Sequence, residues 1–201
     1  MSASYSLNAN QASASSVDLH THPLGNSERI RLRFGSYGVD VIVNSSDIRV
    51  SGLYSTHDHI NINRTIAVVA FQDIDEPAFR MEHDAITNGQ SIGIVFKENG
   101  WVIDKRHQFF GTIATPRHYF SESMPAEAFD KVQSAIHVYS LLVKKAGAEF
   151  QYASIAEVHH PDFLQLNDLA AIYGSKYESH REKTPQIADF LDIVESRLLT
   201  L

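Results

Sequence analysis

Three charged side chains fall inside segments that otherwise read as apolar strand. They are Arg49 in Ile48-Arg49-Val50, Arg64 in Asn63-Arg64-Thr65-Ile66, and Glu157 within residues 153–158 (ASIAEV). Arginine is rarely buried without a partner, so each needs an acid, the surface or a ligand carboxylate. Burial would raise the Glu157 pKa, and a nearby arginine would lower it. An internal Arg–Glu ion pair with no chemical role is the plain alternative. The segment Gly89-Gln90-Ser91-Ile92-Gly93 is a further feature. Its glycines are too close for a phosphate loop and no Lys-Ser/Thr follows, so it reads first as a turn. Its backbone amides could still receive an anionic oxygen.

The chain has 11 histidines, with close pairs at His20/His22, His57/His59 and His159/His160. Alternate residues of an extended segment share a side, so two imidazoles could share a metal. None of the pairs matches a specific ligand motif, and Asp58 would point away from His57 and His59 in a strand. Exposed or capping histidines are the better reading, and no metal is expected.

The elements that must position these residues lie in a chain of 201 residues, the size of one domain, with 43% hydrophobic and 20% charged residues. A formal charge of −7 argues against a general nucleic-acid binder. No basic amphipathic stretch suggests a membrane surface. Cysteine is absent, which excludes disulfides, thiolate metal sites and a cysteine nucleophile. The longest apolar runs, such as residues 66–71, are too short to cross a bilayer. Residues 1–16 are rich in Ser, Ala and Asn and read as a loose tail rather than a secretory signal, so a cytoplasmic location is expected.

Residues 17–27 read as an irregular lead-in. Residues 28–34 (ERIRLRF) and 38–43 (GVDVIV) alternate around Gly35-Ser36-Tyr37 and predict a hairpin. After a turn at Asn44-Ser45-Ser46-Asp47, residues 48–55 and 64–71 predict further strands, the latter central. The spacing over 77–88 predicts a helix stopped at Asn88-Gly89. Residues 92–96 and 101–105 around Asn99-Gly100 predict another hairpin, and 107–113 continue as strand or loop. A helix is expected from Pro125 to Gln133, a strand over 150–158, and amphipathic helices over 167–177 and 185–199. Residues 134–143 fit a helix stripe and a strand face equally well. Strands mostly preceding helices, with hairpin-length connections, indicate an α+β fold: an antiparallel sheet with helices packed on it.

In this order the segments resemble the chorismate lyases, or chorismate–pyruvate lyases. That family carries an Arg-led strand, an Arg-Thr pair fifteen residues on, a glycine-led turn before an apolar segment, and a late strand with Glu and a following Pro. Here Arg49 leads RVSGLYS, and Arg64-Thr65 follows at that spacing. Gly89-Gln90-Ser91-Ile92-Gly93 runs into Ile94-Val95-Phe96, and Glu157 precedes Val158-His159-His160-Pro161. The resemblance covers roughly residues 28–164. It implies a tail and lead-in over 1–27, a lyase-like domain over 28–164 and a helical extension of that domain over 165–201. It also favours strand for 134–143.

The resemblance implies that Arg49 pairs with a ring carboxylate, aided by the Ile92 N–H and the adjacent Gly93. Arg64 would be a second pocket arginine, and Glu157 would lie near the ring hydroxyl and act with Arg49 in catalysis. Two arginines suit the two carboxylates of chorismate, since each guanidinium can bind one bidentately. Elimination of enolpyruvate with loss of a ring proton gives 4-hydroxybenzoate, and no cofactor is implied. The chain departs from the family in several places. Only Asn44 to Ile48 connects its second strand to the Arg-led strand, where members carry a long excursion. A Pro is missing after the Arg-Thr strand, a basic pair near 138–141 is replaced, and about forty residues follow Pro161. Two functions are therefore expected: a lyase on chorismate or a related ether, or a non-catalytic binder of a small aromatic or dicarboxylic acid. The same scaffold serves transcription regulators, but no DNA-binding helix-turn-helix precedes the domain.

Overall fold

The computed structural model describes residue 20 and residues 24–120, 131–174 and 184–200. Its centre is a six-stranded, wholly antiparallel sheet in the order β1-β2-β3-β6-β5-β4. The strands are β1 Gly38–Asn44, β2 Ile48–His57, β3 Ile60–Phe71, β4 Val102–Pro116, β5 Lys131–Lys145 and β6 Ala148–His159. Two three-stranded meanders thus meet where β3 pairs with β6, and the chain crosses between them through residues 72–101. The α+β fold with an antiparallel sheet agrees with the sequence expectation. Residues 134–143 lie in β5, which settles their ambiguity as strand.

Alternation along the strands assigns two faces. Ile48 and Val50, Ile66 and Val68, Ile136 and Val138, and Ala156 and Val158 point to the back. There they meet Ile187, Phe190, Leu191, Val194 and Leu198 of helix α5 (Pro185–Thr200). The front carries the remaining helices: α1 Asn26–Phe34, α2 Arg80–Thr87, α3 Ile92–Glu98 and α4 Leu166–Tyr173. They form two separate apolar clusters. One gathers Phe79, Phe96, Trp101 and Tyr152 under α2 and α3, and the other gathers Ile30, Phe163, Leu169 and Ile172 under α1 and α4. Between these clusters the sheet is left uncovered enough to hold a cavity. The 165–201 extension therefore divides, with α4 on the front and α5 on the back.

Two expected hairpins are corrected. Residues 28–34 form most of α1 rather than a strand. The alternation of Ile30, Leu32 and Phe34 also contains the i, i+4 pair Ile30/Phe34, and Leu32 is exposed. End signals decide the matter. The Gly25 N–H donates to Glu28 at 2.8 Å, and Gly35 closes the helix at φ 78°, where its N–H reaches the Arg31 carbonyl. Residues 92–96 belong to α3, and Asn99-Gly100 terminates that helix instead of turning a hairpin. Gly100 has φ 77°, and the Trp101 N–H donates to the Phe96 carbonyl. The lead-in likewise gives way to helix at Asn26.

Residues 107–113 are strand within β4, and 131–133 of the expected 125–133 helix are strand within β5. The rest of that helix, residues 1–19 and 175–177 lie outside the described residues. No helix among the described residues is long and apolar enough to cross a membrane.

Candidate functional site

The front-face cavity has a volume of about 310 Å³. Its floor is made of adjacent rungs across the sheet. Arg49 (β2) pairs with Val69 (β3), Val69 with Ile155 (β6), and Ile155 with Tyr139 (β5). The next rung runs Ser51, Ala67, Glu157 and His137. Small residues at 51 and 67 leave the hollow between the charged side chains. Arg49 and Glu157 sit two strands apart, about 10 Å across the sheet, a span suited to a single ring. The walls come from Gly25, Asn26 and Ser27 at the start of α1, and from Ser91, Ile92, Gly93 and Lys97 of α3 and its lead-in.

Arg49 is 3% exposed. Its Nε donates to Ser51 Oγ at 3.0 Å, and Nη1 donates to the Ile86 and Gln90 carbonyls at 3.1 and 2.7 Å. These bonds fasten the α2–α3 connection to the sheet and fix the guanidinium plane. Burial lowers the Arg49 pKa, and no carboxylate among the described residues pairs with it. Nη2 makes no hydrogen bond among those residues. The expected alternative of an internal Arg–Glu pair is not formed. A buried cation without an anion costs several kcal/mol, and Arg49 is the buried charged group of this cavity left without an opposite charge beside it.

Ile92 and Gly93 are the first residues of α3, where backbone N–H groups have no intrahelical acceptor. The structure therefore places both beside the Arg49 cavity, as helix amides rather than as part of a strand. Gly89, with φ 98°, makes the turn that delivers them.

Glu157 is 6% exposed and accepts a hydrogen bond from the Tyr139 hydroxyl at 3.2 Å. Its other oxygen stands 3.9 Å from Nδ1 of His137. Burial is the largest single influence on the Glu157 pKa and pushes it up. The Lys105 ammonium together with His137 and His159 outweighs burial and holds the carboxylate below its ordinary range. His137 is buried against Tyr173 of α4 and His107, which also touch each other, and His107 Nδ1 lies 2.6 Å from His137 Nε2. Burial lowers the His137 pKa more than Glu157 raises it, so a neutral imidazole backs an ionised carboxylate.

Arg64 is placed apart from the other four. It is the unpaired residue of a β3 bulge between Asn63 and Thr65, and it does not line the cavity. Its Nε donates to Ser55 Oγ at 2.8 Å, and its guanidinium lies 3.8 Å above the Phe34 ring. Its role here is to tie α1 to the sheet.

The histidine pairs divide by environment. His57 and His59 flank the exposed β2–β3 turn, and His20 lies 2.9 Å from Asp168. His22 lies outside the described residues. His159 is buried, with Nδ1 3.1 Å from the Thr65 hydroxyl. That hydroxyl also accepts from Asn26 Nδ2 at 2.9 Å, which links α1 to the floor.

Sequence reasoning misses Lys105, Tyr139, Tyr37 and Asn26. Lys105 carries a usable signal, because Ile103, Lys105 and His107 occupy one face of a strand. Tyr139 shares a face with His137, two positions away. Tyr37 and Asn26 carry none, being placed by the α1 packing. The cavity thus gathers the cations Arg49, Lys97 and Lys105 around one carboxylate, Glu157, in a chain of formal charge −7. The chemistry of such a lining suits an anion, with the Glu157 carboxylate and the Tyr139 hydroxyl at its floor. No family model matches the chain, and no curated protein matches it.

Proposed function

We propose that the protein is a lyase of the chorismate–pyruvate type, acting on chorismate or a related enolpyruvyl ether and leaving a hydroxybenzoate. The observation that carries this reading is the buried Arg49, without an acid partner, sharing one cavity with an ionised Glu157. The ring carboxylate would pair with Arg49 Nη2 and accept from the Ile92 and Gly93 N–H groups. A planar guanidinium held at three points is preorganised for such an anion.

The ring hydroxyl would then lie toward Glu157, which accepts its hydrogen bond. In the reaction the ring carbon that bears the hydroxyl loses its proton, the ether C–O bond on the adjacent ring carbon breaks and the ring becomes aromatic. The departing enolpyruvate gains a proton at its methylene carbon and becomes pyruvate. A carboxylate held below its ordinary range is a weak base, so Glu157 serves best by orienting the hydroxyl and relaying the proton. Aromatisation supplies the driving force, and positioning supplies the rate. At about 310 Å³ the cavity is at the small end for ligand sites, in keeping with a one-ring acid.

The weakness of Glu157 as a base also favours a second reading, a non-catalytic binder of the same aromatic or dicarboxylic acids. Steady-state assay of wild type and Glu157→Gln separates the two. The lyase reading expects turnover in wild type, reduced at least about 100-fold in the variant, with ligand affinity kept within about fivefold. A wild type that binds the acid and releases no pyruvate would establish the binder instead.

A further inference from the structure

We propose that Lys105 holds a second ligand carboxylate opposite Arg49, making the cavity selective for dicarboxylic over monocarboxylic aromatic acids. The assignment rests on the reading of this cavity as an acid site. Arg49 stands on β2 and Lys105 on β4, and both line the same hollow. The strand order sets them four strand spacings apart, about 19 Å at the backbone. Two long side chains reach inward from those ends, with Glu157 of β6 between them.

The Lys105 ammonium lies 4.3 Å from the centre of the Tyr139 ring on the cavity floor. It makes no ion pair within 4 Å among the described residues, and the carboxylate its charge acts on is that of Glu157 in the same hollow. The acids nearest along the strands are already engaged: Asp104 with Lys144 at 3.1 Å, and Glu149 with Lys144 at 3.0 Å and Arg106 at 3.4 Å. Lys97 is exposed on α3 and belongs to the mouth of the cavity. Arg64, the residue a two-arginine site would use, is committed to Ser55 and Phe34 outside it. A diacid with a hydroxyl between its carboxylates therefore finds a cation at each end and an acceptor in the middle.

The test compares two stable ethers, 3-(carboxymethoxy)benzoate with two carboxylates and 3-methoxybenzoate with one, by calorimetric titration. Wild type should bind the diacid at least about tenfold more tightly, the worth of one charge-assisted contact. Lys105→Met should shrink that preference to within about threefold, mainly through the diacid, and Lys105→Arg should restore it. Arg64→Met should keep the preference, even with a lower Tm, and Arg49→Met should weaken both acids. A preference that survives Lys105→Met, or is lost in Arg64→Met, overturns the assignment. If wild type shows no preference while Arg49→Met weakens both acids, the Lys105 assignment fails and the acid site stands. If wild type binds neither acid, the acid-site reading fails and takes the assignment with it.

Discussion

Arg49 and Glu157 show what residue type in a strand can and cannot reveal. A charge among β-branched neighbours signals a partner, and the sequence alone leaves open whether that partner is internal. Alternation and register decide it, since Arg49 and Glu157 share a face but sit two strands apart. Arg49→Met should reduce affinity for a benzoate-type acid at least about 100-fold in titration, by removing the charge and the Nη2 contact. It should also lower Tm, because the bonds to Ile86 and Gln90 are lost with it. Arg64 carries the same sequence signal and ends elsewhere, because a bulge, invisible in composition, moves it under α1. A further residue-scale test concerns His159, whose burial lowers its pKa from 6.5 to about 4. The folded state keeps the neutral ring, so between those values the unfolded chain binds the extra proton. Stability is then fully present above about pH 6.5 and falls on acidification towards pH 4, by an amount on the order of 3 kcal/mol. Urea titrations across that window should show the loss, and His159→Asn should flatten it. A profile with no slope there would contradict the burial of a neutral His159.

At the scale of elements, the apolar, β-branched strands β2, β3 and β6 are legible in the sequence, and so are α2 and α5. The two short helices beside the cavity are not. Residues 28–34 satisfy periods of two and four together, and 92–96 is an unbroken apolar run that fits either state. Only their ends distinguish them: Glu28 three residues after Gly25, and Asn99-Gly100 closing a helix as readily as a hairpin. This matters for the site, because a helix starting at Ile92 leaves its first amides without intrahelical acceptors at the cavity wall, and a paired strand would not. Ile92→Pro isolates that contribution. Proline is tolerated at a first helical position, and Ser91 before it already has φ −71° and ψ 125°, which suits a residue preceding proline. We expect acid affinity to fall about 5- to 20-fold with α3 intact by circular dichroism. Unchanged affinity would remove the Ile92 N–H from the site.

Across the described residues, the cavity and the α5 packing lie on opposite faces of one sheet. The front holds the cavity at the seam between two apolar clusters, and the back is sealed by α5. Leu198→Ala on α5, at a position 1% exposed, should cost about 2–5 kcal/mol in chemical denaturation and leave acid affinity unchanged. Arg49, Lys97 and Lys105 stand together in the seam of a chain of formal charge −7, so on the acid-site reading the local field there favours a small anion. The most direct test of the lyase account is to incubate purified protein with chorismate and follow pyruvate and hydroxybenzoate by mass-resolved chromatography. We expect both to form in equal amounts, and neither to form with Arg49→Met. Absence of both products from wild type would contradict it, and a rise in Tm with chorismate or 4-hydroxybenzoate in that case would establish the binder.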